Sequence, residues 1–361
     1  MKSCKKCLIS ESVAGIKLNA QGICNLCQNY SYDQDFEENL RKAREVDLEQ
    51  ALKDCRHKGE YDCLVPVSGG KDSIYLLYKL KVEYGLRVLA FTTDINIPSI
   101  AWDNIIRTLD KLEIDHAIYR PSKKFYQKIF RFLLKNQEQR GAVYTVSYVY
   151  APLFEGDAIK LAIEKNIPLV LAGYSPGQPE PERMLYEFSK KLISEIDWTP
   201  PALKACTDFD AQELSRFFNP HNYPQGTQFP RYLAPYHAWQ YNQEEIMQKV
   251  VELGLVKSKK HASPIFSNYP INWLLMYSDL KHFDYNPYLP EFSSLIREGK
   301  ANLRQWKIMF PIVDFMIRHK IFLGKEVKTS LQWLDMSEDE LTINQPKGAY
   351  DPPFKNIEKN I

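Results

Sequence analysis

No stretch of this chain approaches the roughly 20 consecutive apolar residues that a bilayer-spanning helix needs. The opening Met1-Lys2-Ser3-Cys4 lacks the apolar segment of a signal peptide. A cytoplasmic protein without a membrane span is therefore expected. Net charge is nearly lacking too, because 47 basic and 45 acidic side chains leave only +2. That balance disfavours a broad nucleic-acid surface, which normally shows as a strongly basic domain. The Gly-x4-Gly-Lys-Ser/Thr pattern of γ-phosphate-cleaving motors is missing, as are HExxH, internal repeats and low-complexity segments. What remains is a chain of 361 residues, 44% of them apolar, long enough to bury one sizeable core or two.

Cysteine is sparse except at one end, where four of the seven fall within the first 27 residues. Cys4-Lys5-Lys6-Cys7 and Cys24-Asn25-Leu26-Cys27 are two CxxC pairs sixteen residues apart. A reducing compartment argues against disulfides, and two such pairs complete the tetrahedral thiolate shell of a structural zinc, with Gly22 easing the second turn. The same four thiolates would also suit an iron–sulfur cluster. A closed Cys4 set has no open position, so its role is expected to be structural or in docking. Cys55, Cys63 and Cys206 are isolated, and Cys63 falls in a predicted core strand.

From Asp33 to His57 the charge-laced pattern predicts a solvent-facing helix. Strands are predicted at 61–67, 86–93, 114–119 and 167–172, with helices at 72–82, 99–112, 122–136 and 151–165 between them. Val-, Ile- and Leu-rich strands alternating with helices mean an α/β class with a parallel sheet covered on both faces. The segment from Val143 to Tyr150 reads as irregular and aromatic. After Gly173, proline clusters (Pro176, Pro179, Pro181; Pro200, Pro201) break the rhythm, and helices follow at 243–253, 271–282 and 303–319, the last expected to kink or break at Pro311. No further strand is expected, and the tail from Asn344 is expected to be extended or frayed.

Ser68-Gly69-Gly70-Lys71-Asp72-Ser73 follows the first strand directly and opens a helix. Two glycines let backbone approach an anion, and the helix start offers free N–H groups and its dipole. Ser68 and Ser73 add hydroxyls, Lys71 a point charge and Asp72 a ligand for the Mg2+ that accompanies ATP. Lys71, Asp72 and Ser73 are the candidate reactive residues.

In this setting the loop resembles the SGGxDS signature of the PP-loop ATP pyrophosphatases, or nucleotide α-hydrolases. The resemblance implies an adenine nucleotide α-hydrolase-like domain at 59–200, between a Cys4 knuckle (1–32) with its linking helix (33–58) and a mainly helical substrate or partner region (201–361). It implies release of AMP and pyrophosphate. The end of the second strand, Phe91-Thr92-Thr93-Asp94, and Gly173 of Ala172-Gly173-Tyr174 match the family's nucleoside-side elements. The layout from the first CxxC through Gly-Ile-Cys-Asn-Leu-Cys to Tyr-Asp-Cys-Leu-Val-Pro-Val-Ser-Gly-Gly-Lys-Asp-Ser resembles the N-acetyl sugar amidotransferases of surface-polysaccharide pathways. That likeness covers residues 1 to 120 and implies conversion of an acetamido to an acetamidino group. No cysteine is free to serve as an N-terminal glutaminase nucleophile, so the likeness implies a separate glutaminase supplying ammonia, of the kind used in histidine biosynthesis; an oligomer is compatible with it. One departure stands out: Val143–Tyr150 lacks the mid-domain cysteine pair of those relatives, which also counts against tRNA thiolation. A tRNA-modifying enzyme and a nucleotide-binding subunit without turnover are the alternatives.

Further on, 235–242 is dense in polar aromatics, as is 263–273, and both suit a sugar or a base. His237 is a candidate acid–base residue, and Arg183 a candidate phosphate contact.

Overall fold

The computed structural model describes residues 2–30, 34–95, 97–176 and 186–351. Among them are seven strands: β1 (Cys63–Pro66), β2 (Val88–Thr93), β3 (Asp115–Tyr119), β4 (Gln137–Glu138), β5 (Leu169–Leu171), β6 (Arg231–Leu233) and β7 (Ile343–Gln345). Five form one sheet in the order β3-β2-β1-β5-β6, with every neighbouring pair parallel. The longer helices are α1 (Gln34–Asp54), α2 (Lys71–Tyr78), α3 (Ser99–Leu112), α4 (Lys123–Lys135), α5 (Ala142–Glu164), α6 (Gln243–Glu252), α7 (Pro270–Phe283), α8 (Leu289–Arg297), α9 (Leu303–His319) and α10 (Glu326–Leu334). The α/β class with a parallel sheet, a cysteine-bearing N-terminal unit and a mainly helical C-terminal region is as the sequence predicts. None of the described helices is long and apolar enough to cross a membrane.

Side-chain alternation divides each strand between two apolar layers. Cys63, Val65, Val88, Ala90, Leu169 and Leu171 face a core shared with α2 and α3, while Leu64, Leu89, Phe91 and Val170 face Ala158, Ile159 and Ala162 of α5. The sheet grows outward from β1 in one direction through β2 and β3, and in the other through β5 and β6. Such a reversal opens a crevice beyond the carboxyl ends of the two strands where it occurs. Here those strands are β1 and β5, and the Ser68–Ser73 loop emerges from β1. The expected solvent-facing helix is α1, whose Leu48, Ala51, Leu52 and Cys55 side nevertheless joins the first core.

Four expectations need correction. Val143–Tyr150 is not irregular but lies inside α5. Its Val and Tyr side chains favour strands locally, yet burial and an unusual cap decide otherwise. Asp279 of α7 accepts from the Ala142 and Val143 N–H groups at 2.5 and 3.0 Å, and Gly141 (φ +101°) leaves no room for a side chain, since a Cβ there would lie 2.3 Å from that carboxylate. Second, a strand does follow Gly173: β6 pairs with β5 through Leu169–Arg231, Val170–Tyr232 and Leu171–Leu233. Three residues are too few to show a period. Third, α9 runs unbroken through Pro311, which sits on its exposed side, where water can satisfy the carbonyl left without a partner. Fourth, the tail from Asn344 is extended at its start but not frayed as far as Asp351: β7 pairs with β4, Tyr350 is buried, and Asp351 bonds Arg140.

Replacing Asp279 with Ala strands two buried amides at the start of α5. A loss of about 2 kcal/mol is expected, read as a lower urea midpoint with an unchanged slope.

Candidate nucleotide pocket and cysteine cluster

The Ser68–Ser73 loop is fixed by contacts that tolerate no side chain. Gly69 has φ +79°, and a Cβ there would lie 2.4 Å from the Ala101 carbonyl oxygen of α3. Its own carbonyl accepts from Asn104 Nδ2 at 2.9 Å, and the same amide group donates to the His261 carbonyl at 2.8 Å. Gly70 occupies the N-cap position of α2 without any side-chain cap. The first-turn N–H groups of α2 are thus turned out of the loop, as an anion site requires. Ser73 Oγ donates to the Gly70 carbonyl at 3.0 Å and lies 3.4 Å from Ser68 Oγ.

Lys71 is buried, and its Nζ lies 2.6 Å from Asp72 Oδ2. Tyr241 donates its hydroxyl to Asp72 Oδ1 at 3.1 Å and accepts from Lys71 at 3.4 Å; Tyr236 donates to the Asp72 carbonyl at 2.7 Å. Burial, with the Asp72 charge next in weight, pushes both tyrosine hydroxyls far above their usual range, so both remain donors. The aromatic stretch 235–242 therefore braces the loop from behind.

The carboxyl ends of the neighbouring strands close in around the loop. Thr92 Oγ1 donates to the Val67 carbonyl at 3.0 Å, which brings Thr93 beside Ser68. Thr93 is buried and its Oγ1 has no hydrogen-bond partner among the described residues, a vacancy that a polar ligand atom would fill. Asp94 is buried at the same edge, with its Oδ2 2.6 Å from Arg120. Gly173, at the end of β5, abuts the start of α2: a Cβ there would lie 2.9 Å from the Ser73 nitrogen.

A cavity of about 130 Å³ opens over Lys71 and Asp72, walled by Ser175, Tyr241, Pro264, Glu291, Phe292 and Lys300 among others. Glu291, from α8, is half-buried, and burial raises its carboxyl to about 8. His237 is not part of this wall. Burial, with Arg44 and Lys300 nearby, lowers its imidazole to about 4, so it is neutral near pH 7. Arg183 lies outside the described residues.

Sequence reasoning missed Glu291, Lys300, Arg120 and Asn104. Only Asn104 left a trace: with Thr108 it is one of two polar members of the stripe Ala101, Asn104, Ile105, Thr108 that α3 buries. A second polar cluster was also invisible. Tyr126 Oη, Asp157 Oδ2 and Arg216 Nη2 are buried without partners among the described residues, with the Arg216 guanidinium 4.9 Å above the Tyr119 ring at the end of β3.

The four N-terminal cysteines converge, with all sulfurs within 4.8 Å of one another. Cys4 and Cys27 sulfurs are 3.8 Å apart, and those of Cys7 and Cys24 3.7 Å. Tetrahedral thiolates bound to one ion at about 2.3 Å would be separated by about 3.8 Å, so the spacing fits a mononuclear metal. Backbone N–H groups of Cys24 and Cys27 point at the Cys4 and Cys24 sulfurs at 3.3 Å each. The knuckle docks on α8, where Ile296 packs against its core and Arg297 donates to the Cys7 sulfur at 3.4 Å. Cys63 is fully buried in β1, as predicted.

No family model matches the chain. No curated protein matches it either. Among solved structures it is similar to the U34-tRNA thiolase NcsA of Methanococcus maripaludis, with 13% identity, 94% of this chain and 90% of that one covered, and a TM-score of 0.32. It is also similar to the NMN synthetase of Francisella tularensis, with 10% identity, 88% and 98% covered, and a TM-score of 0.34. The NH3-dependent NAD synthetase of Campylobacter jejuni gives 14%, 84% and 97%, and 0.34.

Glu291 makes a signed pH prediction. An unfolded glutamate ionises near 4.3, whereas the folded one holds its proton to about 8. Between those values the folded chain binds the extra proton, so this group makes stability fall as pH rises across the window. Without nucleotide, Glu291→Gln is expected to match the parent in Tm at pH 4.5 and exceed it at pH 8.

Proposed function

We propose that this chain binds ATP over the Ser68–Ser73 loop, cleaves it between the α- and β-phosphates, and thereby activates an acceptor oxygen for displacement by ammonia. The observation that carries this reading is the uncapped start of α2, held by a glycine pressed against Ala101, at the crevice between β1 and β5. Backbone N–H groups and Lys71 would hold the departing pyrophosphate, while Thr93, Asp94 and Gly173 would flank the nucleoside side.

In the first step the acceptor's amide or carboxyl oxygen bonds to the α-phosphorus as pyrophosphate leaves. Ammonia then adds to the activated carbon, AMP departs with the bonding pair, and a proton is released. With an N-acetyl acceptor the product carries an acetamidino group. Lys71 and the loop amides would stabilise charge that grows on the phosphorane, and Ser73 would orient it. Mg2+, when bound, would neutralise the pyrophosphate, and the Asp72 carboxylate would supply an oxygen ligand for it. The resemblance in residues 1 to 120 supports a small, sugar-like N-acetylated acceptor, and the incoming ammonia would be supplied by a separate glutaminase. The near-zero net charge speaks against RNA as acceptor. The Cys4 knuckle would hold Zn2+, and four reduced thiols together with ATP chemistry suit the cytoplasm.

Incubation with ATP labelled at the α-phosphate, an N-acetyl sugar panel and ammonium should yield labelled AMP. Lys71→Ala should slow this about 10²- to 10³-fold, and should also lower Tm because Asp72 loses its buried ion-pair partner. Labelled ADP would overturn the mechanism, and AMP release only with added RNA would move the acceptor to RNA. Elemental analysis should find one zinc per chain, lost in Cys24→Ser together with a lower Tm; iron instead would overturn the zinc assignment.

A further inference from the structure

The helix α9 is apolar on two sides. Phe310 and Ile317 face inward and are buried, whereas Ile308, Ile312 and Phe315 are 63%, 48% and 55% exposed. Their spacing of four and then three residues puts the exposed three on one stripe. Phe322, 75% exposed just beyond the helix end, adds to it. Four of the twelve large apolar side chains exposed among the described residues thus gather on one segment of fifteen residues. Scattered exposure is ordinary, but a contiguous apolar patch marks a contact surface.

The fully exposed charges of residues 303–330 have one sign, and the two acids there, Asp314 and Glu326, are half-buried. Arg304, Lys307, Lys325 and Lys328 are exposed, and none forms an ion pair with a described residue. Arg318 is paired with Asp284, and the only acid of α9, Asp314, is half-buried and accepts from Asn286 at 2.7 Å. Pairing this face with a second copy of itself would bring cations against cations. An apolar stripe flanked by long cationic side chains instead suits an anionic lipid surface, where Phe and Ile enter the acyl boundary and Lys and Arg reach the headgroups.

We propose that the outer face of α9, with Phe322, is a peripheral binding surface for anionic bilayers. It backs onto the nucleotide pocket through one ring pair: Trp306 of α9 packs at a 37° tilt against Phe292 of the pocket wall, 3.7 Å between centroids.

The test uses the full chain sedimented with vesicles of phosphatidylcholine alone or mixed with phosphatidylglycerol, at low and high salt. Binding is expected with the mixed vesicles only, weakened by salt, and reduced at least about tenfold in Ile312→Ser/Phe315→Ser. These positions are exposed, so the variant should keep its Tm. Absence of sedimentation, equal sedimentation with neutral vesicles, or an unaffected double variant would overturn the proposal. A solution dimer that the same double variant splits would overturn it too, and make the face a contact between copies.

Discussion

Two backbone contacts without side chains set the geometry of this molecule's pocket. Gly69 rests against Ala101 of α3, and Gly173 against Ser73 of α2. Each forbids a Cβ, and together they hold the loop between the ends of β1 and β5, so that the first turn of α2 cannot close back on itself. The hydrogen bonds around them then follow. Asn104 ties the Gly69 carbonyl to the C-terminal region through His261, and Tyr236 and Tyr241 hold Asp72 from the other side. A loop that would be mobile alone becomes a rigid receptor because its neighbours leave it no other conformation.

How much of this could be read from the chain depends on how local each cause is. The loop was legible because six consecutive residues each carry a physical reason, and the strand before and helix after are visible in the apolar pattern. The cysteine cluster was legible because CxxC geometry is set within four residues. The pocket's opposite wall was not: Glu291 and Lys300 come from some 220 residues away, and nothing in their own neighbourhood distinguishes them from surface charges. The segment 143–150 misled for the converse reason. Its local preference is for strand, and what makes it helical is a carboxylate on α7 and burial in the apolar core shared with α4 and α7. Pro311 misled because the expected cost assumes a buried carbonyl, whereas this one faces water.

The helix α8 deserves comparison with the loop, since it joins two centres that the sequence presents as separate. Glu291, Phe292 and Leu295 along it line the pocket, and Ile296 and Arg297 at its C-terminal end meet the cysteine knuckle. Nine residues span about 13 Å. The N-terminal knuckle thus packs against the helix that forms one wall of the pocket.

The position of β6 bears on how the chain comes together during synthesis. Its partner β5 is complete about 60 residues earlier, which at 5–20 residues per second is roughly 3–12 s of translation. For that interval the β5 rim of the sheet stands as an open edge, the kind of surface that recruits foreign strands. In the finished chain Phe188, Trp198 and Phe218 of the intervening segment are buried over β5 and β6, so the edge left open during synthesis is backed by aromatic rings once β6 is in place.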